Sequence, residues 1–177
     1  MKLVILDRDG VINFDSEKYI KSPEEWRPIP GSPEAIARLN QNGWKIVVAT
    51  NQSGLGRGLF DMAALNAMHN KMHRAVNQAG GRIEAIFYCP DIDASKSYFR
   101  KPNPGMLEAI GERFNTPLKD VPAVGDSLRD LQAAHAVGAR PILVLTGKGQ
   151  ATQSDPNLPA GIEVMPDLAA VADLLCA

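Results

Sequence analysis

Met1-Lys2-Leu3-Val4-Ile5-Leu6-Asp7-Arg8-Asp9-Gly10-Val11-Ile12-Asn13-Phe14-Asp15 is the stretch whose reading decides the fold. Leu3 to Leu6 form a short apolar run of the kind that a strand buried on both faces requires. The run stops abruptly at Asp7-Arg8-Asp9-Gly10. Two carboxylates two residues apart, just beyond the carboxyl end of a buried parallel strand, stand where open α/β sheets place their chemistry. Asp and Gly are also ordinary turn residues, so the motif on its own reads sooner as a solvated turn. The rest of the chain must decide between the two readings.

The remainder alternates strands and helices. Asp15 to Pro30 is polar and proline-bearing and reads as a surface loop or flap near the aspartates. Ser32 is placed to cap a helix with Pro33 in its first turn and Ala35, Ile36 and Leu39 as its apolar stripe. Trp44 to Ala49 is a second buried strand, followed by Thr50-Asn51-Gln52-Ser53 and a glycine-rich loop, Gly54 to Gly58. A long helix is expected from about Asp61 to Gln78, its Met and His residues forming a partly exposed packing face. Further strands are expected at Ile83–Cys89, Val121–Val124, Pro141–Leu145 and near Glu163–Met165. Helices are expected at Pro102–Asn115, Leu128–Val137 and Leu168–Leu175. Apolar strands alternating with helices predict an α/β fold with a doubly wound, mainly parallel sheet covered by helices on both faces. No inserted segment is long enough for a separate cap domain, and one domain is expected over residues 1–177.

Bulk properties exclude several classes of function. A net charge of −1 provides no footprint for nucleic acid or an anionic membrane. No apolar run approaches the ~20 residues of a spanning helix, and no signal peptide is apparent. The two cysteines, Cys89 and Cys176, make no disulfide framework. A reduced, cytoplasmic protein is therefore expected, and a chain this compact can act as a monomer.

Polar residues gather at four strand ends: Asp7 and Asp9; Thr50 to Ser53; Arg100 and Lys101; and Asp126 with Asp130. A doubly wound sheet brings such ends to one edge. Asp7, Asp9 and Asp126 offer the oxygen ligands that Mg²⁺ prefers. Lys101 and Arg100 add positive charge, and Thr50 with the amides after it adds hydrogen bonds. This is a clamp for an anion whose charge spreads in a transition state.

The set Asp7-Arg8-Asp9-Gly10, Thr50, Lys101 and Gly125-Asp126-Ser127-Leu128-Arg129-Asp130 resembles the haloacid dehalogenase (HAD) superfamily of aspartate-nucleophile phosphotransferases over residues 3 to about 146. The resemblance implies a Rossmann-like HAD core and a catalytic set of Asp7, Asp9, Thr50 and Lys101. Asp7 would be the nucleophile that becomes an aspartyl-phosphate, and Asp9 the acid/base. It implies Mg²⁺ held by Asp7, the backbone carbonyl of Asp9, and Asp126, with Asp130 behind them orienting Lys101. Asp-Arg-Asp-Gly-Val-Ile-Asn, Thr-Asn-Gln-Ser-Gly-Leu-Gly-Arg-Gly and Arg-Lys-Pro-Asn-Pro-Gly-Met look like the heptose-bisphosphate phosphatases, relatives of the histidinol-phosphate phosphatases. For that family the substrate is D-glycero-D-manno-heptose 1,7-bisphosphate, losing its 7-phosphate during bacterial lipopolysaccharide biosynthesis. The same resemblance places Asp15, Tyr19, Asn51, Gln52, Ser53, Arg57 and Arg100 near the sugar and its second phosphate, Arg100 being favoured for its guanidinium fork. Histidinol phosphate and the choice of anomer stay open.

One departure concerns a zinc loop that this family commonly carries. Cys89 is retained, but Asp91 replaces a histidine, and Ser97 and Phe99 replace cysteines. One thiolate cannot make a structural zinc site, so no zinc is expected. Packing of Tyr98 and Phe99 is expected to shape residues 90–99 instead. His69, His73 and His135 lie in helical stretches and read as surface or packing residues. The loop from Thr146 to Gly149 is either an approach to the phosphate site, through Lys148, or a plain turn. A receiver-like signalling module also uses Mg²⁺ and a phosphorylated aspartate, but on the third strand, where this chain has Cys89-Pro90. An inactive relative serving as a binding protein is the third reading, and intact Asp7 and Asp9 argue against it.

Overall fold

The computed structural model describes residues 1–177. Its six strands are β1 (Leu3–Leu6), β2 (Lys45–Asn51), β3 (Ala85–Cys89), β4 (Pro122–Gly125), β5 (Arg140–Val144) and β6 (Glu163–Met165). The helices are α1 (Ser32–Gln41), α2 (Ser53–Gly56), α3 (Met62–Gln78), α4 (Gly105–Arg113), α5 (Leu128–Ala136), α6 (Gly149–Gln153) and α7 (Leu168–Leu175). All strand pairs are parallel, in the order β3-β2-β1-β4-β5-β6. The chain therefore leaves β1 toward one edge and later returns to its other side. That reversal at β1 opens the crevice in which doubly wound sheets bind ligands.

Strand β1 shows why the sheet is buried on both sides. Val4 and Leu6 point into a core formed with α1, α3 and α7, whereas Leu3 and Ile5 join a second core under α4 and α5. Alternate residues thus serve opposite faces. No helix is long and apolar enough to cross a membrane.

The segment between β1 and α1 is more deeply anchored than its charge suggests. Trp26 is wholly buried, and Ile20 and Ile29 are buried with it. Lys71 of α3 donates to the carbonyls of Pro23 and Trp26, each at 2.7 Å. The flap is therefore attached to the core by three apolar side chains scattered among charges. Ser32 is the first residue of α1 rather than its cap, which falls on Gly31. Its hydroxyl instead donates to Val11 O at 2.8 Å, joining α1 to the turn after β1.

Two short helices were not legible as such: α2 in the glycine-rich loop, and α6 beyond β5. Helix α3 begins at its Asp61 cap, but Met68, His69 and Met72 on it are buried rather than partly exposed.

Candidate active site

Register brings the acidic groups together. Leu6 pairs with Val124, and the Asp7 N–H donates to Val124 O at 2.9 Å, so Asp7 and Asp126 leave adjacent strand ends. Gly10, at φ +86, makes the turn that follows Asp9. A side chain there would overlap the Asp126 carboxylate, so glycine is required twice over. Asp7, Asp126 and Asp130 each place one carboxylate oxygen within 4.8 Å of the others.

Lys101 is the cation among them, and all three of its protons are engaged. Nζ donates to Asp130 Oδ1 at 2.6 Å, to Ala49 O at 2.8 Å and to Asp7 Oδ1 at 3.1 Å. Asn51 locks the lysine main chain from the neighbouring strand, donating to Lys101 O at 2.9 Å and accepting from Lys101 N at 3.1 Å. Asp130 is spent on this support: its second oxygen accepts from Ser127 N and Oγ at 3.1 and 2.9 Å.

One ammonium cannot neutralise three clustered carboxylates, two of them buried and Asp7 partly so. Burial opposes its charge, but Asp130 and Asp7 outweigh burial and hold the Lys101 ammonium above its ordinary value. Burial likewise opposes the Asp130 charge, yet Lys101 and the Ser127 bonds hold that carboxyl below the usual range. The surplus falls on the other two. Burial, with repulsion from Asp130 and Asp9 against attraction by Lys101, pushes Asp7 up to about 7. Burial, with repulsion from Asp7 and Asp130, pushes Asp126 up to about 8. Two hard carboxylate donors crowded together, with no histidine or cysteine in the cluster, fit a Mg²⁺-type cation, which would relieve their mutual repulsion.

Asp126 is gripped from β5 onward. Lys148 N donates to its Oδ2 at 2.8 Å, Thr152 Oγ1 to its carbonyl at 2.7 Å, and Thr146 Oγ1 to the Gly10 carbonyl at 2.6 Å. The segment from Thr146 to Thr152 is thus part of the site rather than a plain turn. Asp9 is held differently. Its Oδ1 accepts from Arg8 Nε at 2.8 Å and from Asn13 Nδ2 at 2.9 Å, and its Oδ2 accepts from Gln52 Nε2 at 3.2 Å. Gln52 also donates to Thr50 Oγ1 at 2.9 Å.

These groups open into a cavity of about 340 Å³ whose lining is almost wholly polar. Asp7, Asp9, Thr50, Asn51, Lys101, Asp126 and Asp130 line it, as do Asp15, Tyr19, Arg57 and Arg100. Gln52 and Ser53 do not; Gln52 is turned inward to brace Asp9 and Thr50, and Ser53 starts α2. Arg100 lines the cavity but is not an entirely free fork. It is buried, with Nε donating to Asp93 Oδ1 at 2.7 Å and Nη1 to Asp91 O at 3.0 Å. That pair shapes residues 90–99, together with Phe99 against the second core. Tyr98 is largely exposed, but its ring lies against Gly105 and its hydroxyl donates to Glu108, so it ties the loop to the start of α4. Arg129 and Arg57 line the cavity and donate no hydrogen bond within the protein, and Lys148 Nζ reaches only to 3.6 Å from Asp15 Oδ2. Arg129 escaped the sequence reading, although its place in the first turn of α5, just after the end of β4, puts it at the sheet edge where the acidic groups gather.

Known proteins resemble this chain over nearly its whole length. A family model described as "HAD-hyrolase-like" matches residues 98–171. A D-glycero-beta-D-manno-heptose-1,7-bisphosphate 7-phosphatase of Bordetella bronchiseptica is 58% identical over 175 residues, 99% of this chain and 98% of that protein. The Pseudomonas aeruginosa protein of the same name is 53% identical, over 98% of this chain and 97% of its own. This chain belongs to the heptose-bisphosphate phosphatase family of the HAD superfamily. A crystal structure of the B. bronchiseptica phosphatase, complexed with magnesium and phosphate, superposes with a TM-score of 0.97 at 58% identity, covering 99% of this chain and 98% of that one. The α/β fold expected from the alternating pattern is the fold this family adopts.

Proposed function

We propose that the protein is a Mg²⁺-dependent phosphatase, a single domain acting as a monomer, that removes the 7-phosphate of D-glycero-β-D-manno-heptose 1,7-bisphosphate. The observation that carries this reading is the convergence of Asp7, Asp126 and Asp130 carboxylate oxygens within 4.8 Å of one another at the mouth of the sheet, with Lys101 bonded among them. The relatives' names supply the substrate and its anomer.

The chemistry follows from where the side chains stand. An Asp7 oxygen attacks phosphorus, the bond to the sugar oxygen breaks, and an aspartyl-phosphate forms. Asp9 delivers a proton to the departing sugar oxygen, so that an alcohol leaves rather than an alkoxide. Asp9 then takes a proton from the water that attacks the aspartyl-phosphate, and phosphate and the free Asp7 carboxylate are regenerated. Thr50 binds a transferring phosphoryl oxygen, and the Lys101 ammonium, bonded to Asp7, offsets the charge that gathers on the group. Mg²⁺, held by Asp7, Asp126 and the Asp9 carbonyl, would neutralise the phosphate and let a carboxylate approach it. Arg57 and Arg129, free of protein partners and on the cavity wall, receive the 1-phosphate.

Phosphate release with Mg²⁺ tests the reading, comparing the two heptose anomers with histidinol phosphate. A kcat/KM advantage for the β-anomer is expected. A preference for histidinol phosphate would overturn the substrate and leave the chemistry in place. No release from any of the three would overturn both.

A further inference from the structure

The residue between the two aspartates has no part in the chemistry above, yet it is the most deeply enclosed charge in the protein. Arg8 is wholly buried. A buried guanidinium is costly where an apolar side chain would pack, unless its partners are held in good geometry. Its partners here are Asp9 and, across the core, His69 of α3. Nε donates to Asp9 Oδ1 at 2.8 Å, and Nη2 lies 2.8 Å from the same oxygen but out of line for a hydrogen bond. Nη1 lies 3.2 Å from His69 Nε2.

We propose that Arg8 and His69 are positioning residues that fix the Asp9 carboxylate, Oδ1 held in the protein and Oδ2 presented to the leaving group. Oδ1 is spent on Arg8 and Asn13, whereas Oδ2 has only the longer contact to Gln52 at 3.2 Å. The proton therefore travels by Oδ2. Arg8 can aim Asp9 only while it is itself aimed, and His69 supplies the one acceptor found for Nη1. Burial and the adjacent Arg8 hold the imidazole down at about 3, so at neutral pH it is uncharged. A neutral ring accepts from Arg8 through Nε2 with its own proton on Nδ1. The buried face of α3 thereby reaches the acid/base through two side chains.

The inference rests on the phosphatase reading and is tested by its dependence on the leaving group. A sugar alkoxide departs only with a proton, whereas p-nitrophenolate departs without one. Single-turnover leaving-group release is measured with Mg²⁺ for the heptose bisphosphate and for p-nitrophenyl phosphate. In His69→Leu the sugar ester is expected to slow by roughly tenfold or more and p-nitrophenyl phosphate by less than about threefold. His69→Gln, whose amide oxygen can accept from Nη1, is expected to stay close to the wild-type rate. Arg8→Lys keeps the charge but not the fork and is expected to show the same selective loss, which keeps the test alive should His69→Leu not fold. An unchanged sugar rate, equal losses on both esters, or a loss in His69→Gln as large as in His69→Leu would overturn the positioning role alone. Wild-type protein inactive on both esters would overturn the phosphatase reading and this role together.

Discussion

Lys101 Nζ lies 3.1 Å from Asp7 Oδ1, and the two come from positions 94 residues apart. The ammonium belongs more closely to Asp130, at 2.6 Å, so the nucleophile is the weaker partner of its own cation. That inequality is useful. A nucleophile fully paired with lysine would be a poor one, whereas Asp7 is bonded to Lys101 through Oδ1 alone and keeps Oδ2 free to approach phosphorus. Lys101→Met should therefore lower kcat by roughly 10²-fold or more, because the transferring phosphoryl group loses a cation. It should also lower the melting temperature, because three clustered carboxylates are left without their counter-ion. Steady-state kinetics and thermal melting read the two effects; near-normal kcat would remove Lys101 from the catalytic set.

Asp7→Asn should abolish turnover, by about 10³-fold or more. The metal-free variant should melt no lower than wild type at neutral pH, since an amide relieves repulsion that burial and Asp130 impose on the carboxylate. Substantial remaining activity would mean that another group attacks phosphorus.

The raised Asp7 and Asp126 carboxyls make the metal-free protein sensitive to pH. Unfolded, each releases its proton near the ordinary value of 3.8; folded, they hold it to about 7 and about 8. Between those limits the folded state binds more protons than the unfolded one, so stability falls as pH rises. In chelator, the melting temperature should be higher at pH 5 than at pH 8. Mg²⁺ binds the ionised pair, so its stabilising shift should be larger at pH 8. Equal Mg²⁺ shifts at both values would show that this pair does not hold the cation.

The strand ends were legible because a run such as Leu3 to Leu6 leaves no alternative to burial on both faces, and its abrupt stop marks the edge where chemistry collects. Asp7, Asp9, Thr50, Lys101 and Asp126 could be gathered on that basis before any coordinates. What escaped depends on which way side chains turn. Arg100 reads as a free phosphate fork in sequence, which does not reveal that Asp93 and the Asp91 carbonyl take its Nε and Nη1 and leave only Nη2 unpaired on the cavity wall. His69 reads as a packing residue, because nothing in its own helix reveals that Arg8 lies against it. Trp26 hides its burial among lysines and glutamates.

The two bonds that Arg100 makes to residues 91 and 93 change what its substitution should do. Arg100→Ala should weaken heptose bisphosphate and a simple monophosphate alike, because it frees residues 90–99 from their anchor. Arg129→Ala should raise KM for the bisphosphate by about tenfold, the worth of one charge-assisted hydrogen bond to phosphate, with little change for the monophosphate. Parallel KM measurements on the two substrates separate these outcomes. Equal losses in Arg129→Ala would take Arg129 out of second-phosphate recognition.

Gly147 offers a test of how the metal ligand is held. It adopts φ +56, and a Cβ there would overlap Asp126 Oδ2 and lie 2.6 Å from Gly10 Cα. The next residue supplies the N–H that fixes that same oxygen at 2.8 Å. Gly147→Ala should therefore displace the carboxylate and loosen the amide that orients it, weakening Mg²⁺ binding by roughly 10- to 100-fold. Gly161→Ala is the matched control: φ is +77, but nothing lies within 4 Å of the added methyl. Its backbone strain should lower stability by about 1 kcal/mol and leave Mg²⁺ affinity unchanged. Calorimetric titration of Mg²⁺ into both variants decides the matter. If both lose affinity equally, strain alone is responsible; if only Gly147→Ala does, the packing of glycine against Asp126 sets the metal site.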